Sequence, residues 1–111
     1  MPKRGSAKRF AQAVFEIGRE DDALDQWSHD LNEISVSLKN EEFRLLLEHS
    51  KVPIAQKLKT IKDALSGIQP LAQKMLAVLT SRGLVDLVDL IELEYIRLLD
   101  IHQGRERGSV S

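Results

Sequence analysis

Apolar positions recur at steps of three and four along nearly the whole chain, and nowhere do they alternate strictly with polar ones. Steps of that size place residues on one face of a helix, where each residue turns by about 100°. The pattern is interrupted at Glu20–Asp22, Asn40, Ser50–Pro53, Ser66–Pro70 and Gly83, which divides it into six predicted helices. The first, Ser6 to Arg19, is unusual. Its apolar and small residues run round the cylinder as Ala13, Ile17, Phe10, Val14, Ala7, Gly18, Ala11 and Phe15, an arc of roughly 200° where a one-sided helix needs about 100°. One part of that arc can face the domain's own core, and the part near Phe10 and Ala13 is left for a second helix to cover.

The other helices follow in order. Ser6 is expected to cap the first, with Met1 to Gly5 frayed, and the acidic run Glu20–Asp22 is expected to supply cap oxygens to the second. Leu24, Trp27, Leu31, Ile34 and Leu38 line one face of that second helix, with Trp27 as a core anchor. Asn40 separates it from a short third helix carrying Phe43, Leu46 and Leu47. Pro53 and Pro70 suit helix first turns, where a missing N–H costs nothing. Ile54, Leu58, Ile61 and Leu65 then form the apolar line of the fourth helix, with Lys57, Lys59 and Lys62 on its solvated side.

The fifth helix, Pro70 to Arg82, repeats the excess of the first. Leu71, Met75 and Val78 make one apolar line, extended by Arg82, while Ala72, Leu76 and Leu79 make another beside it. Gly83 supplies a left-handed stop. Leu84 to Ile101 reads as one long sixth helix, the spine of the core, and the two glycines of QGRERGSVS mark a tail or linker from Gln103 onward. The fold class predicted is all-α: a single six-helix bundle over residues 1–103, with 104–111 flexible or leading to a second domain.

Composition narrows what such a bundle does. At 111 residues with 42% hydrophobic and 30% charged side chains, the chain has enough apolar material for one core and no more. A net charge of -1 provides no field to gather nucleic acid. The absence of cysteine excludes disulfides, thiolate metal sites and thiol nucleophiles. Gly83 to Ile101 is apolar, yet its six charged residues exclude a membrane span.

Candidate chemistry is sparse. His29, His49 and His102 fall on different elements without paired metal-ligand spacing. Asp21, Asp22 and Asp25 are accounted for by a helix start, and no glycine-rich phosphate loop is present. Lys3, Arg4, Lys8 and Arg9 are too few to mark an anionic partner. No cofactor is expected, and binding is a better reading than catalysis.

Three landmarks then point to a family. Ala7–Glu16, AKRFAQAVFE, resembles the opening A-x-x-Y-A-x-A-L-F-E of the delta subunit of the rotary F-type ATP synthase, the mitochondrial form of which is the oligomycin-sensitivity-conferring protein. Val78–Gly83 resembles the family's helix-ending N-G-R-L segment, and His102-Gln103-Gly104 its H-x-G exit from the N-terminal domain. Phe10 stands where the family has tyrosine, and the arginine that follows the family's glycine stands before it here, at Arg82.

The resemblance implies a non-enzymatic stator component of the proton-translocating synthase, peripheral on the cytoplasmic face of a bacterial inner membrane and supporting ATP synthesis coupled to proton transport. It implies that the N-terminal helix of an alpha subunit lies in a groove between the first and fifth helices. Phe10, Ala13 and Val14 form one wall and Val78 the other; helical spacing adds Leu71, Met75 and Arg82. A second domain, absent from this stretch, would join a b-type stalk subunit, and the isolated domain would be monomeric. A six-helix adaptor of death-domain type, working by salt-sensitive homotypic association, is the alternative.

Overall fold

The computed structural model describes the backbone of residues 3–107 and the side chains of residues 5–104. The described residues are helical, in the order α1 (Lys3–Glu20), α2 (Leu24–Leu38), α3 (Glu41–Glu48), α4 (Ile54–Ala64), α5 (Pro70–Ser81), a single 3-10 turn (Val85–Leu87) and α6 (Val88–Arg107). No strand occurs among them. The expected all-α bundle of six helices is what forms.

Helix α6 is the spine, packed along α1 on one side and α2 on the other. Its Val88, Ile91 and Tyr95 are fully buried, as are Trp27, Leu31 and Ile34 of α2. Phe15 meets Tyr95 edge-on at 6.0 Å and His102 at 5.6 Å, which ties the middle of α1 to the second half of α6. Gly18 is required by close approach: a Cβ there would lie 3.0 Å from Cδ1 of the buried Trp27. Helices α4 and α5 pack on each other and join the rest through α2 and the 3-10 turn.

Polar staples fix α2 to its neighbours. The Tyr95 hydroxyl donates to the Leu24 carbonyl at 2.6 Å, and Ser35 donates to Asp89 at 2.9 Å. Asp30, fully buried, accepts from Gln26 at 2.8 Å and from the backbone N–H of Gln69 at 3.1 Å, at the very start of α5.

Several local expectations change. Helix α1 begins at Lys3, so Ser6 lies inside it and caps nothing. Ala23 stands at the N-cap of α2 with no side-chain cap. The turn is closed instead by backbone: Ala23 N–H bonds to Gly18 and Asp22 N–H to Arg19, with Asp22 at φ 54°. That is a Schellman end with aspartate in the position glycine usually holds. The same motif recurs after α5, where Gly83, at φ 71°, does hold it. Asn40, which separates α2 from α3, caps the latter by accepting from Phe43 N–H. Pro53 stands at the N-cap of α4, one position before the first turn.

Two larger differences remain. The sixth predicted helix is divided, because residues Val85–Leu87 tighten into the 3-10 turn before α6 proper. At its far end α6 passes Gln103 and Gly104 and reaches Arg107, beyond the expected start of the tail; residues 108–111 lie outside the described residues. In α4 the inward line is Lys57, Ile61 and Leu65, with Ile54 and Leu58 exposed at 45% and 39%. Lys57, expected in solvent, is buried in line with Ile61 and Leu65, a position that a lysine's four-carbon stem can fill.

Candidate functional site

The surplus apolar surface of α1 divides much as its wide arc requires. Ala7, Ala11, Val14, Phe15 and Gly18 face inward, Phe10 and Ile17 are half-buried at the edge, and Ala13 is exposed. In α5 the line Ala72, Leu76 and Leu79 is buried, and Leu71 and Val78 remain exposed at 41% and 38%. Arg82, at the C-cap, is exposed on the same side. Both helices pack on the 3-10 turn, which bridges them and contributes buried Val85 and Leu87 beneath.

The seven predicted contact residues therefore fall into two groups. Val14 and Met75 are core side chains, packed in the same cluster as the spine, so in the free domain they support the surface and do not form it. Phe10, Ala13, Leu71, Val78 and Arg82 carry the accessible surface. The adjustment for Met75 is geometric: at about 100° per residue it lies roughly 60° from buried Ala72 and roughly 40° from buried Leu79, near enough to the core line to be drawn in.

Sequence reasoning did not anticipate a concavity of about 650 Å³ along α1 and α6. Its lining includes Arg9, Ala13 and Arg19 of α1 with Leu98, Ile101 and His102 of α6. The only sequence signal for it is the pair Leu98 and Ile101 at the end of a helix already supplied with a buried face. Ala13, one of the predicted contact residues, also lines this concavity.

Among the described residues, the charge pairs lie on the helix surfaces. Arg19 pairs with Glu16 at 2.6 Å on the surface of α1, and Arg97 pairs with Glu94 on α6, where its hydrogen bond holds the glutamate below the usual carboxylate range. Burial, aided by the charge of Asp25, pushes the Tyr95 hydroxyl from 10 up to about 12, so it keeps the proton it donates to the Leu24 carbonyl. Among the described residues there is no group of three metal-ligating side chains and no helix long and apolar enough to cross a membrane.

The family model for the ATP synthase delta (OSCP) subunit matches residues 7–111. The chain belongs to this family. ATP synthase subunit delta of Anoxybacillus flavithermus is 32% identical over 105 residues, a match covering 94% of this chain and 59% of that relative. Its counterpart in Moorella thermoacetica is 30% identical over 101 residues, covering 90% of this chain and 57% of the relative. In Dehalococcoides mccartyi the figures are 30% over 105 residues, 95% and 58%. This delta-family chain thus spans less than three-fifths of the length of each of these three relatives.

Proposed function

We propose that this delta-family domain is a non-catalytic part of the peripheral stalk of a proton-translocating ATP synthase, and that it grips the N-terminal helix of an alpha subunit between α1 and α5. The observation that supports this reading most is the apolar surface left open on those two helices. Ala13, Leu71 and Val78 face solvent on the two elements that flank the same buried 3-10 turn. A helix with its own apolar stripe would be held there by removing both surfaces from water. The exposed methyl of Ala13 permits close approach, and Phe10 supplies a half-buried aromatic edge. Arg82 would meet an acidic group on the incoming helix.

In that role the domain holds the catalytic head against rotation, on the cytoplasmic face of a bacterial membrane. The link to a b-type stalk subunit would be made by a second domain, in keeping with the greater length of the relatives.

The test is calorimetric titration with a synthetic alpha-subunit N-terminal peptide of about twenty residues, long enough for five helical turns. One-to-one binding should persist at high salt, since it rests on apolar burial. Val78→Asp and Ala13→Asp should each weaken it by at least about a hundredfold by burying an unpaired carboxylate, roughly 3 kcal/mol. Because both side chains are exposed in the free domain, the cooperative unfolding transition should move little. Absence of peptide binding with salt-sensitive self-association instead would favour the homotypic adaptor.

A further inference from the structure

The apolar ridge that α4 leaves in solvent belongs to a second cleft on the opposite flank of α5. Leu58 and Lys62 of α4 face Pro70, Lys74 and Ala77 of α5 across a cavity of about 230 Å³. Ile54 and Leu58 continue the apolar surface along α4. No carboxylate lines this cleft among the described residues. The two flanks of α5 are distinct: Leu71 and Val78 lie on one side of its buried line, and Gln73 and Ala77 on the other.

Charge says what fits. The chain as a whole is nearly balanced, with 16 basic and 17 acidic residues. Residues 50–77 are not: Lys51, Lys57, Lys59, Lys62 and Lys74 stand against the single acid Asp63. Of these, Lys62 and Lys74 line the cleft itself, so its rim is cationic, while acidic side chains crowd the rest of the molecule. An apolar trough with cationic rims is the complement of a helix whose apolar stripe is flanked by glutamate or aspartate. A lipid surface suits the shape less well, since the apolar atoms lie in a concave trough between two helices, whereas a helix that lies on a membrane presents a convex apolar face.

We infer that the α4–α5 cleft is a second docking site, separate from the α1–α5 groove, for an acidic amphipathic helix of a partner protein. Leu58, Pro70 and Ala77 receive the apolar stripe, and Lys62 and Lys74 meet the acidic flanks. The site does not depend on alpha-subunit binding, and it assigns α5 a partner on each flank.

The experiment uses two synthetic helical peptides of about 18 residues, five turns each. Both carry one leucine stripe; glutamates flank it in the first and lysines in the second. Titrated into the isotope-labelled domain, the glutamate peptide should saturate, shift amides of α4 and of the α4-facing side of α5, and weaken as salt rises. Leu58→Glu should lower its affinity at least tenfold. The double variant Lys62→Glu/Lys74→Glu should reverse the preference in favour of the lysine peptide. These three side chains are exposed, and an unchanged amide spectrum away from the cleft verifies the fold. Val78→Asp should leave glutamate-peptide binding intact, which separates this site from the alpha-subunit groove. Equal affinity for both peptides, undiminished binding by Leu58→Glu, or shifts confined to Phe10, Ala13 and Val78 would overturn the inference. So would Leu58-dependent binding to anionic phosphatidylserine vesicles without any peptide binding, or self-association of the domain through the same residues.

Discussion

At the scale of single residues the most informative position is Asp22, which holds a left-handed conformation that glycine adopts without cost. An L-residue there is disfavoured by about 1–2 kcal/mol, partly offset by the greater unfolded-state entropy of glycine. Asp22→Gly should therefore raise stability by up to about 1 kcal/mol, read from the midpoint of urea unfolding at constant slope. Gly83 already has the favourable residue in the same motif, which is why that boundary is plain in the sequence and the one at Asp22 is not. Tyr95 gives a pH prediction. Its hydroxyl titrates near 10 when unfolded and near 12 in the fold, so the folded state retains a proton that the unfolded state has lost between those values. Stability from this group is complete below pH 10 and declines as pH rises toward 12. Tyr95→Phe should abolish that part of the alkaline slope, at the expense of leaving the Leu24 carbonyl without its donor.

At the scale of elements, the position of α5 is set from outside itself. Its N-cap, Gln69, makes no side-chain cap, and the buried carboxylate of Asp30 on α2 takes the Gln69 N–H instead. A negative charge at that end also complements the helix dipole. Asp30→Ala would strand the Gln69 and Gln26 donors, so a loss of about 1–3 kcal/mol is expected. Hydrogen exchange should show the first turn of α5 opening ahead of the rest. No sequence pattern reports such a bond, because its partners are 39 residues apart. Helix α4 shows a different limit. Ile54, Leu58, Ile61 and Leu65 make a sound helical line, and so do Lys57, Ile61 and Leu65; both lines share their last two members. Which is buried depends on where α5 packs, and a lysine stem can fill an inward position. Helix α2, with five apolar residues on its predicted face, had no such ambiguity, and Trp27, Leu31, Ile34 and Leu38 of that face are buried.

At the scale of the whole molecule the extents are 53 × 32 × 22 Å. The thinnest dimension is about two helix diameters, so nearly every helix has one face on the core and one on solvent. Such a slab has little interior to spare. An apolar residue is then either essential to the fold or available to a partner, and the two kinds occupy different faces of α1 and α5, with Phe10 and Ile17 half-buried at the boundary. The candidate site was legible to the extent that the surplus on those helices was visible in the pattern. It was not legible that Val14 and Met75 would be taken into the core, because a helical wheel has no partner helix on it. The division predicts opposite outcomes for one chemical change. Ile91 is fully buried at the centre of the spine, so Ile91→Asp places an unpaired carboxylate where no water reaches it. A penalty of about 4–5 kcal/mol would consume most of the stability of a domain this size, and cooperative thermal unfolding should vanish. Ala13→Asp adds the same group to the open wall of the groove and should leave a cooperative transition within a few degrees of the parent. Circular dichroism melts of the two variants side by side decide the matter. A cooperative melt for Ile91→Asp would mean that α6 is not the spine, and collapse of Ala13→Asp would mean that α1 has no surface free for a partner.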